Sequence, residues 1–237
     1  MELTATDRPH GAIDTIPAAV ARNARDTPDA PALVQGRRVM TWGDLGARSF
    51  AMAASLQRLG ITPAGRVTMH FGSTLTLDDA AACVGILCAC ACHPVVADQP
   101  HAARLRLMER VAPAFVVASA DSGPLDYPIP VLWHHGGFLE SPADGVAAIS
   151  VATRLPGRDD VAMITSTSGT TAEPKLVPIL HRTLAAAGRT CSELADLHAG
   201  DRMLLLATPH FTLFCFSIVP FWMGGAVILP EGRAGDT

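Results

Sequence analysis

The first apolar series, Ile13, Ile16, Val20 and Ala24, has a helical spacing and predicts a helix over Ile13–Asp26, ended by Thr27-Pro28. Two short runs follow, Pro31–Val34 and Arg38–Thr41, and Gln35-Gly36 between them reads as a hairpin turn. Thr41 stands three residues before Asp44, the pairing of a capping box, so a second helix is expected to run to Leu59 with Gly60 closing it. Beyond it the pattern alternates. Arg66–Phe71, His93–Ala97, Ala114–Ser119 and Ile129–Leu132 read as strands, with helices over the apolar run Leu75–Ala91 and the basic run Ala102–Val111. Further on, strands are expected at Val161–Ile164, Leu176–Ile179, Arg202–Ala207 and Ala226–Leu229. Helices are expected over His181–Leu197 and most of Phe211–Trp222.

Strands alternating with helices of this length predict an α/β fold of layered, largely parallel sheets with flanking helices. Ligands of such sheets gather at the carboxyl ends of the strands. Residues 1–11 are expected to form a loose N-terminus. Residues 12–133 and 160–237 are expected to form two sub-lobes, joined by an irregular connection over 134–159 that is rich in Gly, Pro and Ser.

Composition narrows the function classes. With 49% apolar and 17% charged residues, the chain has ample material for a core. The formal net charge of −4 and the scattered arginines argue against a nucleic-acid partner. Cys88, Cys90 and Cys92 alternate with alanine, and residues two apart on a helix point to different sides. They therefore read as buried packing, with Cys83, Cys191 and Cys215 elsewhere, and no metal site is expected. The uncharged run Met203–Pro230 is interrupted by Pro209, His210, Pro220 and Gly224-Gly225, so it reads as a buried sheet layer and no membrane partner is expected. With no signal peptide apparent, the expected compartment is the cytoplasm.

The densest chemistry lies in Thr165-Ser166-Thr167-Ser168-Gly169-Thr170-Thr171-Ala172-Glu173-Pro174-Lys175. Hydroxyl residues and glycine follow a buried apolar strand, which makes a loop rich in N–H and O–H donors, the groups that hold a phosphate. Lys175 is the single lysine among 18 basic residues, and a lysine offers a compact point charge that an arginine does not. A nucleoside-triphosphatase loop would need G-x-x-x-x-G-K-S/T, but no second glycine stands before Lys175 and Leu176 follows where a hydroxyl is required. No GxGxxG occurs either.

The loop resembles the signature of adenylate-forming enzymes: acyl-CoA synthetases, luciferase-like enzymes and the adenylation domains of peptide synthetases. Their pattern is roughly S/T-S-G-S/T-T-G-x-P-K-G. Thr167 through Leu176 follows it except for Ala172 and Leu176 in place of two glycines, each of which stiffens the loop. Thr41-Trp42-Gly43-Asp44-Leu45 is similar to the family's early TYxEL segment, Ala91–Asp98 to its AGAxxxPLDP strand, and Val177-Pro178-Ile179-Leu180-His181 to its VxxTH segment. Counting back from Gly224-Gly225 and Pro220 sets the family's pocket histidine on His210.

The resemblance implies activation of a carboxylic acid with ATP and Mg2+ as an acyl-adenylate, then transfer to the thiol of CoA or a carrier protein. Gly169-Thr170-Thr171 leans toward acyl-CoA and standalone acyl ligases. By resemblance Thr167, Ser168, Gly169, Thr170, Thr171 and Lys175 grip the β- and γ-phosphates. Lys175 and His210 are the implied catalytic residues, and His210 and Phe211 line the acid-binding channel. The family's later YGxTE stretch, magnesium-linked acid, ribose-binding aspartate, hinge and C-terminal lobe have no match here. The chain is thus expected to be the N-terminal part of the large lobe and not to complete adenylation alone.

A hydroxyl-rich loop alone is ordinarily a solvated turn, and a histidine in an apolar stretch is ordinarily a satisfied core residue. His93, His134 and His135 read as structural, His181 as capping or orienting the helix it opens, and Asp78-Asp79 as a dipole contact at a helix start. The alternative function is a noncatalytic module that associates with a partner or with itself through an unfinished sheet.

Overall fold

The computed structural model describes residues 14–72, 74–119, 122, 124–139, 154–166, 175–205 and 221–231. Helix α1 (Ile16–Asp26) starts later than its apolar pattern suggests, because Thr15 is its N-cap and accepts the Ala18 N–H through its hydroxyl. Strands β1 (Pro31–Gln35) and β2 (Arg38–Thr41) form the expected hairpin, and Gly36 takes the left-handed φ of +56° that the turn requires. The capping box of α2 (Trp42–Arg58) is present in both halves: Thr41 accepts from the Asp44 N–H, and Asp44 accepts from the Thr41 N–H.

β3 (Arg66–Phe71) leads to α3 (Leu77–Leu87), which is shorter than the apolar run that predicts it. A second capping box, Thr76 with Asp79, sets its start, and Cys88 is its C-cap. Ala91 therefore opens β4 (Ala91–Val96) instead of closing the helix. Next come α4 (His101–Val111), β5 (Phe115–Ser119), β6 (Val131–His135) and β7 (Phe138–Leu139). β6 sits later than the expected Ile129–Leu132, which puts His134 and His135 on a strand. β8 (Val161–Ser166), β9 (Leu176–Leu180), α5 (His181–Leu194), β10 (Arg202–Leu204) and β11 (Ala226–Ile228) complete the order. Residues 206–220, which include most of the helix expected at Phe211–Trp222, lie outside the described residues.

Two sheets result. The larger runs β7-β6-β5-β3-β4-β8-β9, its five inner strands parallel and its two outer strands antiparallel. The smaller runs β10-β11-β1-β2, parallel except for β2. Both sheets draw strands from either side of residues 134–159. The crossover through α3 carries the chain from β3 to β4, and the crossover through α4 carries it back past β3 to β5. Right-handed connections running in opposite directions place the two helices on opposite faces of the sheet.

α3 explains its own composition. Ala80, Cys83, Val84 and Leu87 face Leu33, Val227 and Leu229 of the smaller sheet across an apolar void of about 30 Å3. On another side Gly85 lets the helix approach Met52 and Ser49 of α2. A helix covered on several sides carries no charge beyond its first turn, where Asp78 and Asp79 stand. The first helix ties down the far end of the chain. Asn23 Nδ2 donates to the Phe221 carbonyl at 2.7 Å and Arg22 Nη2 to the Trp222 carbonyl at 2.8 Å. Phe221 then meets Trp42 edge-on, ring centroids 4.9 Å apart. Among the described residues no helix is long and apolar enough to cross a membrane.

Candidate phosphate-binding site

The hydroxyl-rich loop joins the last two strands of the larger sheet. β8 is buried through Ala162, Met163, Ile164 and Thr165, and it pairs with β4 through Cys92 and Met163. Its other edge carries β9 in an antiparallel ladder that runs from Val161 opposite Leu180 to Ser166 opposite Leu176. Pro178 costs the sheet little, because β9 is an outer strand and no further strand needs its missing N–H. The ladder is paired up to its last rung, so the two ends of the loop are held side by side. They leave the carboxyl end of β8, on the edge shared by the carboxyl ends of β3, β4, β5 and β6.

The foot of this hairpin is anchored as well. The Asp160 carbonyl accepts the His181 N–H at 3.1 Å, and the Arg158 carbonyl accepts the Arg182 N–H at 2.9 Å. Asp14, just ahead of α1, pairs with Arg158 at 3.1 Å and with Arg189 of α5 at 3.3 Å. His181 opens α5 without capping it: the N-cap is Leu180, which makes no side-chain bond. The imidazole is fully buried and its Nδ1 accepts the Ile16 N–H, so it orients the helix against α1. Burial pushes the His181 pKa down to about 4.

Of the sequence-predicted site residues, the structure describes Lys175, an exposed side chain one position before β9. Thr167, Ser168, Gly169, Thr170, Thr171, His210 and Phe211 lie outside the described residues. His93 and His70 are buried partners within the sheet. His93 Nδ1 is 3.1 Å from Thr68 Oγ1, His70 Nδ1 is 2.8 Å from Tyr127 Oη, and burial pushes both pKa values down to about 4. Cys83, Cys88, Cys90 and Cys92 are buried and none is in a disulfide. Burial raises the pKa of Cys88 and Cys90 well above the ordinary thiol value, which makes them poor ligands and poor nucleophiles. Among the described residues no group of three or more His, Cys, Asp or Glu side chains is arranged to hold a metal ion.

Comparison with known proteins bears on the whole chain. A family model described as AMP-binding enzyme matches residues 20–236. Pyochelin synthetase PchE of Pseudomonas aeruginosa is 31% identical over 212 residues, which cover 87% of this chain and 14% of that protein. Phenyloxazoline synthase MbtB of Mycobacterium tuberculosis is 28% identical, with 89% of this chain and 14% of that protein covered. Among solved structures, the nonribosomal peptide synthetase FmoA3 superposes with a TM-score of 0.76 at 25% identity, over 92% of this chain and 23% of that one. CmiS6 superposes with a TM-score of 0.77 at 22% identity, over 92% of this chain and 53% of that one. The chain thus spans about a seventh of the length of the curated relatives it matches.

Proposed function

The chain belongs to the AMP-binding enzymes, and on that footing we propose that it carries the phosphate-loop portion of an enzyme that activates a carboxylic acid with ATP as an acyl-adenylate. The acyl group then passes to a thiol, and kinship with nonribosomal peptide synthetases favours a carrier-protein thiol over that of CoA. The observation that carries the reading is the β8–β9 ladder, paired up to Ser166 and Leu176, which holds a loop of hydroxyl and glycine residues at the carboxyl edge of a parallel sheet.

In this reading the substrate carboxylate attacks the α-phosphorus of ATP and pyrophosphate departs. The demand on the protein is positional and electrostatic: the leaving charge must be gripped as it forms. Thr167, Ser168, Gly169, Thr170 and Thr171 supply N–H and O–H donors to the β- and γ-phosphates. Lys175 brings a flexible point charge to the same oxygens. His210 and Phe211 line the channel where the acid meets ATP. The isolated 237-residue chain is expected to bind ATP without turning it over.

Two measurements on the full chain test this. Saturable ATP binding is expected, and its absence overturns the phosphate-loop reading. Pyrophosphate–ATP exchange is expected to stay at background with any acid supplied, and vigorous acid-dependent exchange would show that this chain is catalytically sufficient by itself.

A second reading, association of two copies through the smaller sheet, has one observation in its favour. Its outer strands among the described residues, β2 and β10, each expose a large apolar side chain, Val39 and Leu204. An ATP-insensitive dimer mass in size-exclusion light scattering is the result that would promote it.

A further inference from the structure

Cys83, Cys88, Cys90 and Cys92 all lie where α3 turns into β4, and none of them belongs to the phosphate loop. The turn folds the chain back on itself and brings two of them together. Cys83 Sγ of α3 lies 3.8 Å from Cys92 Sγ of β4, nine positions apart in sequence. Both residues are buried, and neither is in a disulfide. Cys90 turns elsewhere, its Sγ 3.8 Å from the Ala91 carbonyl oxygen.

Cys83 has slack. It borders the apolar void of about 30 Å3 between α3 and the smaller sheet. That volume has room for about two water-sized molecules, the bulk of a small hydroperoxide. The same space lets the Cys83 side chain turn. An uncharged molecule enters such an apolar void far more readily than an ion does.

Cys92 stands at a mechanical seam. β4 is joined to β3 along its whole length, from Ala91 opposite Arg66 to Val96 opposite Phe71. Its register with β8 is the single pair Cys92 opposite Met163. α3 is fastened on its other sides, to Met52 and Ser49 of α2 and to the smaller sheet. A pull between the two sulfurs therefore falls on Cys92 and on the β4–β8 seam, and β8 leads into the phosphate loop.

We propose that Cys83 and Cys92 form a redox switch, a thiol pair that a hydroperoxide converts to a disulfide, and that the bond weakens ATP binding through the β4–β8 seam. The effect on ATP rests on the phosphate-loop reading, whereas the disulfide is independent of it. Cys83, beside the void, attacks as its thiolate. An S–O bond forms, the O–O bond breaks, alcohol or water leaves and Cys83 becomes a sulfenic acid. Cys92 Sγ then attacks that sulfur and displaces water as the S–S bond closes. The thiols lose two electrons and two protons in all, and the hydroperoxide takes up both. A disulfide is about 2 Å long, so the sulfurs close nearly half of their present separation.

The test treats the full chain with hydrogen peroxide, denatures it and counts by mass the thiols that a maleimide still alkylates. The treated monomer is expected to lose two of its six thiols with no oxygen added. Cys83→Ala and Cys92→Ala are each expected to abolish that paired loss, and the Cys88→Ala, Cys90→Ala double variant to keep it. Circular dichroism checks each fold, and either single variant decides the point alone. The oxidised wild type is expected to bind ATP about five-fold more weakly, reversibly with dithiothreitol, while peroxide leaves ATP binding by Cys83→Ala unchanged. No paired loss in the wild type, or the same loss in Cys83→Ala, overturns the disulfide. Unchanged ATP affinity in the oxidised wild type overturns the coupling. ATP binding by neither form overturns the phosphate-loop reading and the coupling with it, and leaves the disulfide standing.

Discussion

His181 Nδ1 accepts the backbone N–H of Ile16 at 3.3 Å, across 165 residues of chain. That N–H belongs to the first turn of α1, where no intrahelical acceptor exists, so the imidazole meets a need the helix has by geometry. The same bond seats α5 at the foot of the β8–β9 hairpin. His181→Leu keeps most of the volume and removes the acceptor. The expected loss is about 1–3 kcal/mol of stability, seen as a lower urea midpoint at an unchanged m-value.

Acid should act through the same residue and two others. His70, His93 and His181 are pushed down to about 4 by burial, from an ordinary value near 6.5. Between those limits the unfolded chain binds more protons than the folded one, so folding stability rises with pH in this window. The contribution is complete above about pH 6.5 and is lost as the pH falls toward 4. Urea midpoints measured from pH 7.5 to 4.5 should fall steadily, and less steeply in His181→Leu. A flat profile would contradict the buried neutral imidazoles.

Lys175 is the sole lysine and stands directly ahead of β9. Lys175→Ala is expected to weaken ATP binding about ten-fold, in line with removal of a charge-assisted contact. Lys175→Arg should fail to restore it, because a rigid planar fork does not reproduce a flexible point charge. Displacement of a fluorescent ATP analogue measures both. Unchanged affinity in the alanine variant would separate this lysine from the phosphates.

Gly85 lies within α3, where alanine would ordinarily stabilise a helix by about 1 kcal/mol. A Cβ at this position would stand 2.6 Å from Cβ and Cγ of Met52 and 3.4 Å from Cα of Ser49. The inner atoms of Met52 cannot give way without moving α2, an overpacking cost of about 1–3 kcal/mol or more. Gly85→Ala should therefore lower the melting temperature by a few degrees, read by differential scanning calorimetry. A higher melting temperature would mean that α2 yields easily.

Local features were legible where the interactions that create them are local. Thr41 with Asp44 announces a helix start because both partners lie in one turn, and both bonds are present. Around α3 the sequence marks Asp78-Asp79 as a helix start but not the pairing of Asp79 with Thr76, since apolar residues continue past both ends of the helix. His134 has no partner pattern in the sequence and reads as structural there. Its neighbour Asp79 arrives only when β5 and β6 are laid beside β3.

From the sequence alone come the order of most of the strands and helices, the donor-rich loop before Lys175 and the family to which the loop belongs. The elements rest on periodicity, turn chemistry and capping within a few residues of chain, and the family on the resemblance of the loop's residues to a known signature. The strand order in space belongs to the tertiary structure. β1 lies between its hairpin partner β2 and the distant β11, and β3 between β4 and β5. Sheet pairing joins segments by burial and backbone hydrogen bonding regardless of their separation along the chain. The opposed crossovers through α3 and α4, and the meeting of Cys83 with Cys92, therefore exist only in the folded molecule.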